Sequence, residues 1–541
     1  MESNSSEFDV LVVGAGFSGL YALHLLRSRG LTVRVLDTAP EIGGTWFWNA
    51  YPGARCDVES ADYSYSFSPE LDQDWEWTER YAAQPEILRY LNHVADRFAL
   101  RDHIHLNTTV HSATYDESIA EWALQTDTGT LRARYCVFAT GGLSAPLAPP
   151  FDGADTFAGE SYMTATWPQG GVDFRGKRVA VIGTGASGIQ SIPEIATDAK
   201  HVTVLQRTPN FTVLGRNRNL GPEDIAEHKA TYPERRKRQR ASYGGTSAQP
   251  HLRRAAECTA DEQLEELRRR SAEGGALTYV GAFRDVLTDL DANRVVADFV
   301  RSDIRSRITD PDLVDVVTPI DHPFAGKRPC VDHGYFEALC RDNVDVVSVR
   351  DNPITAIEPT GVRLTDGTLI EVDIIVYAIG YDAISGALMR IDIQGRNGIH
   401  LRDAWKNGPA SYLGLAIAGF PNLFTVTGPG GPLGLTMMVA LAEQNIEWIA
   451  DCITDLDARG VRAIEATLEA QQQWTEEVEK RAERSIFAAA PNSYYTGANV
   501  PGKPQRFSIY LGGFARYQAI CNAVATEGYD GFRELSVAKP R

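Results

Sequence analysis

The sequence lacks the paired thiols that its glycine motifs would otherwise invite. Its seven cysteines, Cys56, Cys136, Cys258, Cys330, Cys340, Cys452 and Cys521, are scattered, with no C-x-x-C or C-x-x-x-x-C pair. That spacing argues against a dithiol reductase, a disulfide framework and a zinc or other metal site. Also missing is any apolar run near the roughly 18 residues that span a bilayer. The polar start MESNSSEFDV has no charged-then-apolar signal pattern, so the cytoplasm is the expected location. Positive charge is scarce: 53 Lys and Arg against 71 Asp and Glu leave a formal net charge of −18. Such a balance opposes broad attraction to nucleic acid or to an anionic membrane and points to small-molecule partners, with a local basic pocket for a phosphate still compatible. Low-complexity linkers are absent as well, and 43% hydrophobic residues over 541 positions suffice for roughly two or three packed domains.

What is present is one pattern, twice. FDVLVVGAGFSGLYALHLL opens on a β-branched run, passes through Gly14-Ala15-Gly16-Phe17-Ser18-Gly19 and continues as a helical apolar pattern. The next strand, LTVRVLD, ends in Asp37. A GxGxxG between strand and helix, with an acid closing the following strand, is a dinucleotide motif. Gly14 permits the tight turn, Gly16 lets a pyrophosphate approach backbone N–H groups, Gly19 allows close helix–strand packing, and Asp37 holds ribose hydroxyls. The second copy, KRVAVIGTGASGIQSIPEIA, carries Gly183, Gly185 and Gly188, but its next strand runs into Gln206-Arg207-Thr208. A cation there suits a 2′-phosphate that an acid would repel, so this site reads as NADP. Two different nucleotide sites imply electron relay from NADPH to a tighter flavin dinucleotide, FAD.

RYCVFATGGLSAP, Arg134 to Pro146, and VDIIVYAIGYDA, Val372 to Ala383, are apolar strands that end in Ala-x-Gly. Such ends bring bare backbone to a ligand or let the chain cross between domains, although ordinary buried strands with glycine exits look the same. Cutting there gives an α/β fold of two Rossmann-like dinucleotide-binding domains with a helical insertion. The FAD-binding domain takes 1–145 and 376–541, the NADP-binding domain 146–215 and 325–375, and the insertion, rich in Glu, Arg and Ala, 216–324. The charge run ERRKRQR, Glu234 to Arg240, falls in the insertion and reads as a solvated helix face.

GGTWFWNAYPGARCD, Gly43 to Asp57, holds Gly-Gly-x-Trp, with Gly44 and Trp46, then Tyr51-Pro52-Gly53, then Asp57. Further blocks are FAGESYMTATWP from Phe157, FAGKRP from Phe324, YYTGANVPGKP from Tyr494 and YLGGFARY from Tyr510. With these the chain resembles the type I Baeyer–Villiger monooxygenases, class B flavoprotein monooxygenases, over nearly its whole length. The resemblance implies that NADPH reduces FAD, that O2 adds to the flavin, and that the flavin peroxide anion attacks a ketone to give an ester or lactone. Arg328 matches the family's catalytic arginine; a permanent cation favours the deprotonated peroxide and meets the charge of the tetrahedral adduct. Asp57 matches its acidic partner and is expected to orient the guanidinium without a tight bidentate lock. Lys327 is expected to reach the NADP phosphate with Arg207 and Thr208. Gly44, Trp46 and Tyr494 fall at cofactor-binding positions. GPGGPLGLTMMVALAEQ, Gly428 to Gln444, matches the active-site loop and following helix, so Leu433, Leu435, Met437 and Met438 are candidate walls for a bulky or hydrophobic ketone, with core packing as the alternative.

The match departs at two positions. The family's Phe-x-Gly-x-x-x-His-x-x-x-Trp pattern has Met163 at the His position, and Tyr494 stands where relatives commonly carry Trp. Met163 is expected to pack as an ordinary gap-filling residue. Around it, Phe157 and Trp167 would anchor a connector between the nucleotide domains, with Gly159 permitting a turn. Two other chemistries remain open: sulfur or nitrogen oxygenation by the same peroxide, and an uncoupled, NADPH oxidase-like flavoprotein. The expected partners are O2 and a hydrophobic ketone, with no nucleic acid and no membrane, for a monomer or homodimer.

Overall fold

Each glycine turn folds as a strand–turn–helix unit and seeds its own sheet. The computed structural model describes residues 7–490 and 493–535, so the first six residues of the polar start lie outside it. Strand β1 (Phe8–Val13) leads through the first turn into the helix Phe17–Ser28. β1 pairs in parallel with β2 (Val33–Leu36), which continues to β3 (Ile104–His105), and on its other edge with β6 (Gly129–Phe138). Beyond β6 come β5 (Glu121–Thr126), antiparallel to it, and β4 (Val110–Asp116), antiparallel to β5. Successive β1 side chains point to opposite faces, and both faces are covered: Val10 and Val12 enter one core cluster and Leu11 another.

The chain then leaves this sheet and builds a second. β7 (Glu160–Met163), β8 (Arg178–Ile182), β9 (His201–Gln206), β12 (Val344–Ser348) and β16 (Ile374–Tyr377) form a wholly parallel sheet in the order β12-β9-β8-β16-β7. Two short strands between β9 and β12, β10 (Thr212–Leu214) and β11 (Cys330–Asp332), pair with each other. β13 (Ile354–Glu358), β14 (Gly361–Leu364) and β15 (Leu369–Glu371) make a small antiparallel sheet beside the second one. Finally β17 (Asp392–Gln394) and β18 (Leu423–Thr425) return to the first sheet, on β4 and β6. No helix of the described residues is long and apolar enough to cross a membrane.

Between 216 and 324 the longer elements are helices, among them Pro222–Ala241, Ala260–Glu273 and Leu290–Ser306. The charge run on the first of these is not simply a solvated face. Arg236 is only 9% exposed, donating to Asp72 and to the Tyr65 carbonyl, and Gln239 is buried beside it. Arg235 pairs with Asp62 at 2.8 Å and Arg240 with Glu447 at 2.7 Å, so the run docks the insertion on the first domain.

The segment FAGESYMTATWP bridges the two sheets. Its middle is edge strand β7, with Met163 opposite Tyr377 of β16. Trp167 is buried, and its N–H donates to the Trp48 carbonyl at 3.1 Å. Gly159 lies in a bend and also allows a close approach: a Cβ there would crowd the Asp373 carbonyl and the Phe157 ring. Met163 packs with Phe157 against the apolar cluster under the second sheet. Packing sets its contribution, and one hydrogen bond gained by a His is worth about 0.5–1.5 kcal/mol. Met163→His is therefore expected to change kcat, and the product formed per NADPH consumed, by less than about tenfold. Steady-state turnover with product counting checks this.

Candidate active site

Arg328 sits at the mouth of β11, where the Asn210 amide holds its carbonyl at 2.8 Å. Its guanidinium reaches Asp57, 271 positions away: Nε donates to Oδ2 at 2.6 Å and Nη2 to Oδ1 at 2.9 Å. This is a two-point, side-on pair, so the expectation of a looser orientation does not hold. Parallel donors matched to both carboxylate oxygens fix the plane of the guanidinium as well as its position. Nη1 donates to the Gly434 carbonyl at 2.6 Å, which ties in the loop 428–437. Burial opposes ionisation of Asp57, yet the Arg328 charge and hydrogen bonds hold its carboxyl below the usual range. Tyr494 and Tyr495, with ring centroids 4.3 Å apart, lie close enough to feel the same charge. His333 is held neutral, pushed down to about 3 by burial and then by Arg55.

The segment carrying Asp57 leans on the second glycine turn. Gly53, at φ +79°, abuts the Gln190 carbonyl so closely that any Cβ would clash, and the Tyr51 hydroxyl donates to Gln190 Oε1 at 2.8 Å. Gln190 belongs to the helix Ala186–Asp198 that follows Gly185. The Arg328–Asp57 pair is thus held in the region where the two nucleotide-type folds meet.

Both glycine cradles are built alike. Gly14 has φ +112° and a Cβ on it would lie 2.5 Å from the Ala139 carbonyl oxygen; Gly183 has φ +108° and the same 2.5 Å to Ala378. Ala139 and Ala378 are the alanines of the two Ala-x-Gly strand ends. A Cβ on Gly19 would run into the Gly14 carbonyl, and one on Gly188 into that of Gly183. A Cβ on Gly16 would lie 3.5 Å from the Gly44 Cα, while one at Gly185 would meet nothing within 4 Å, leaving open space over the second turn. Asp37 accepts from the N–H groups of Ala15 at 2.5 Å and Ala39 at 2.8 Å, and burial pushes its carboxyl up. Trp46 is buried behind Gly44 and donates to the Tyr63 hydroxyl.

At the end of β9, Arg207 is exposed and the Thr208 carbonyl accepts from Thr184. Arg350 donates to the Arg207 carbonyl at 3.4 Å and pairs with Asp321 at 2.9 Å. Burial lowers the Lys327 ammonium; Asp321 opposes that, while Arg207 and Arg350 push it lower still. Three cations share one carboxylate here, an imbalance that a phosphate group would relieve. Both cradles and this cation cluster fit two dinucleotides, one of them phosphorylated on its ribose.

Comparison with known proteins agrees. Residues 11–220 match the family model described as pyridine nucleotide-disulphide oxidoreductase. Acetone monooxygenase (methyl acetate-forming) from Gordonia sp. (strain TY-5) is 40% identical over 98% of this chain and 99% of its own length. A Baeyer-Villiger monooxygenase from Pseudooceanicola batsensis is 40% identical over 97% and 96%. The chain belongs to the Baeyer–Villiger monooxygenase family. Among solved structures, oxidized steroid monooxygenase bound to NADP matches at TM-score 0.93 and 48% identity, covering 98% of this chain and 99% of that one. A complex of OTEMO with FAD and NADP matches at TM-score 0.94 and 35% identity, covering 98% and 100%. FAD and NADP are the cofactors of this Baeyer–Villiger fold.

A cavity of about 740 Å³ opens from Asp57 and Val58 and is walled by insertion segments around 246–253 and 269–278. None of the four residues expected as pocket walls lines it: Leu433 and Met437 are buried, and Leu435 and Met438 are half-buried in the core beside the loop. Arg350 and this cavity wall escaped the sequence reading. A hint of Arg350 was available in the strand VDVVSVR, which closes on a cation much as VTVLQR does.

Proposed function

We propose that Arg328, oriented by Asp57, is the catalytic cation of an FAD- and NADPH-dependent Baeyer–Villiger monooxygenase. The reaction converts ketone, O2, NADPH and a proton into ester or lactone, NADP+ and water. The observation that carries this reading is the two-point Arg328–Asp57 pair held where the two glycine-turn folds meet. Bound FAD supplies the redox chemistry with NADPH and O2. Arg328 has five N–H donors, of which three are engaged by Asp57 and Gly434, leaving one on each Nη. Those two face the negative charge that develops on the ketone oxygen as its carbon is attacked, and Asp57 keeps them from rotating away.

In this reading Gly14, Gly16, Gly19, Asp37, Gly44 and Trp46 serve FAD. Gly183, Gly185, Gly188, Arg207, Thr208, Lys327 and Tyr494 serve NADP. Leu433, Leu435, Met437 and Met438 pack behind the loop that Arg328 holds and shape the ketone site through it, without lining the cavity that opens from Asp57. The division at 145, 215, 324 and 375 follows from the same reading; the exchange of strands between the two sheets supports it, with β16 running two residues past the last cut. Seven free cysteines support a reducing compartment, the cytoplasm.

Arg207→Ala is expected to lower kcat/KM for NADPH by about ten- to a hundredfold while changing that for NADH less than threefold, because one charge-assisted phosphate contact is removed. Equal losses with both cofactors would take Arg207 out of the phosphate site. The function itself is tested by offering a ketone and a sulfide side by side and counting each product against NADPH consumed. Ester as the main product supports the proposal; sulfoxide alone, or peroxide release without product, rejects it.

A further inference from the structure

The cavity that begins at Asp57 is charged in a selective way. Its carboxylates are all answered: Asp57 by Arg328, Asp62 by Arg235 at 2.8 Å, Glu59 by Arg80 at 2.7 Å and Glu273 by Arg269 at 3.4 Å. Two of its arginines, Arg253 and Arg270, reach carboxylates outside the lining, Glu262 at 3.0 Å and Glu266 at 2.7 Å. Arg238 is different. It lines the cavity, is exposed, and among the described residues makes no ion pair. Scarcity of acids is not the reason in a chain with 71 Asp and Glu against 53 Lys and Arg. Nor is its backbone loose, for Arg235, Arg236 and Arg240 on the same helix are each locked to a carboxylate of the first domain or of the helix after the loop. That leaves a single uncompensated cation on a fixed scaffold, facing a space far larger than a small ketone fills. A cavity of about 740 Å³ suits a ligand of drug size. Val58, Tyr81, Pro250, Leu252 and Leu277 give the same space apolar wall among its charged groups.

We infer that this cavity takes an amphipathic keto carboxylate, with its carbonyl at the Asp57 end, where Arg328 pairs with Asp57 from outside the lining, its hydrocarbon along the apolar wall and its carboxylate received by Arg238. The inference rests on the Baeyer–Villiger reading of the Asp57 end. Arg238 is thereby a specificity residue, acting through KM rather than through the chemical step, because its contact is the same before and during oxygen insertion.

The test uses the FAD-loaded protein with 5-oxohexanoate, 7-oxooctanoate, 9-oxodecanoate and 11-oxododecanoate, each paired with its methyl ester. One acid length is expected to exceed its ester in kcat/KM by at least about tenfold, as one charge-assisted contact allows. Arg238→Ala should bring that ratio to within about twofold of one by raising KM for the acid, and Arg238→Glu should invert it. Arg238→Lys, which keeps a point charge, should retain a preference for the acid. No acid preferred over its ester at any length, or equal losses for acid and ester in Arg238→Ala, overturns the inference. If no substrate is oxygenated at all, calorimetric binding of 9-oxodecanoate separates the two readings. Affinity about tenfold weaker in Arg238→Ala upholds the anion site and rejects the oxygenase assignment, whereas equal affinity rejects the anion site.

Discussion

Arg328→Ala is expected to retain its FAD and to lose ester formation by at least about a hundredfold, the effect of removing one preorganised donor from a developing oxyanion. The loss should appear in kcat, because the charge that Arg328 faces exists only as the carbonyl is attacked. Deleting the guanidinium also strips Asp57 of both its hydrogen bonds and its counter-charge. Arg328 depresses the Asp57 carboxyl against the opposing effect of burial, so the stability it lends is present above the ordinary carboxylate range and is lost as pH falls through the depressed value. In Arg328→Ala burial acts without that opposition, so the Asp57 contribution should reverse sign and be lost as pH rises, an independent sign that the pair was formed. Arg328→Lys should recover little, since one ammonium cannot make two parallel bonds and also reach the Gly434 carbonyl. Product yield by mass spectrometry and flavin content by absorbance give the answer. Ketone oxidation within about threefold of wild type would remove Arg328 from the reaction.

The glycine turns were legible because each is local: strand, turn and helix follow one another in sequence, and at positions 14 and 183 only a glycine can hold a positive φ against a neighbouring carbonyl. Even their Ala139 and Ala378 partners were visible as strand ends, although their partnership was not. The Arg328–Asp57 pair lies at the other extreme. No periodicity encodes a contact across 271 positions, and only the family resemblance put both residues on one page. The charge run in the insertion was misread for an instructive reason. Tyr232, Arg236 and Gln239 stand at i, i+4 and i+7 and form a buried stripe, with the Arg236 guanidinium over the Tyr232 ring at 4.8 Å. Hydrophobic periodicity counts only apolar residues, so a stripe made of Arg and Gln passes as surface. The cavity wall was hidden for the same cause, since ion pairs and not apolar spacing bring it against Asp57. Arg350 needed the knowledge that β12 lies beside β9, and parallel pairing partners cannot be read from either strand alone.

Glu443→Gln is expected to flatten the dependence of stability on pH between about 5 and 8. Glu443 lies on the helix Met438–Arg459 directly after the loop that Arg328 holds, is 1% exposed, and accepts from the Ser66 N–H at 2.6 Å and the Ser66 hydroxyl at 2.5 Å. It forms no ion pair among the described residues; Arg236 is engaged by Asp72 and Arg240 by Glu447, and both attract Glu443 only from a distance. Burial therefore dominates and pushes its carboxyl from 4.5 up to about 7. Tyr21 and Tyr65, the other titratable neighbours, are pushed upward by burial and stay neutral in this range. A carboxyl raised on folding favours the folded state below the unfolded value, and that advantage is lost as pH rises through about 7. A shift of this size corresponds to about 3 kcal/mol across the window, at about 1.4 kcal/mol per unit. Glutamine stays neutral throughout; its Oε1 still accepts from the Ser66 N–H, and its amide donates to a hydroxyl free to turn. The variant should accordingly match wild type near pH 5 and gain on it progressively toward pH 8, as followed by calorimetry on the FAD-loaded proteins. Every other group titrates alike in both, so the difference isolates Glu443. Parallel profiles would mean that Glu443 is ionised throughout, with the Ser66 donors and the two arginines outweighing its burial.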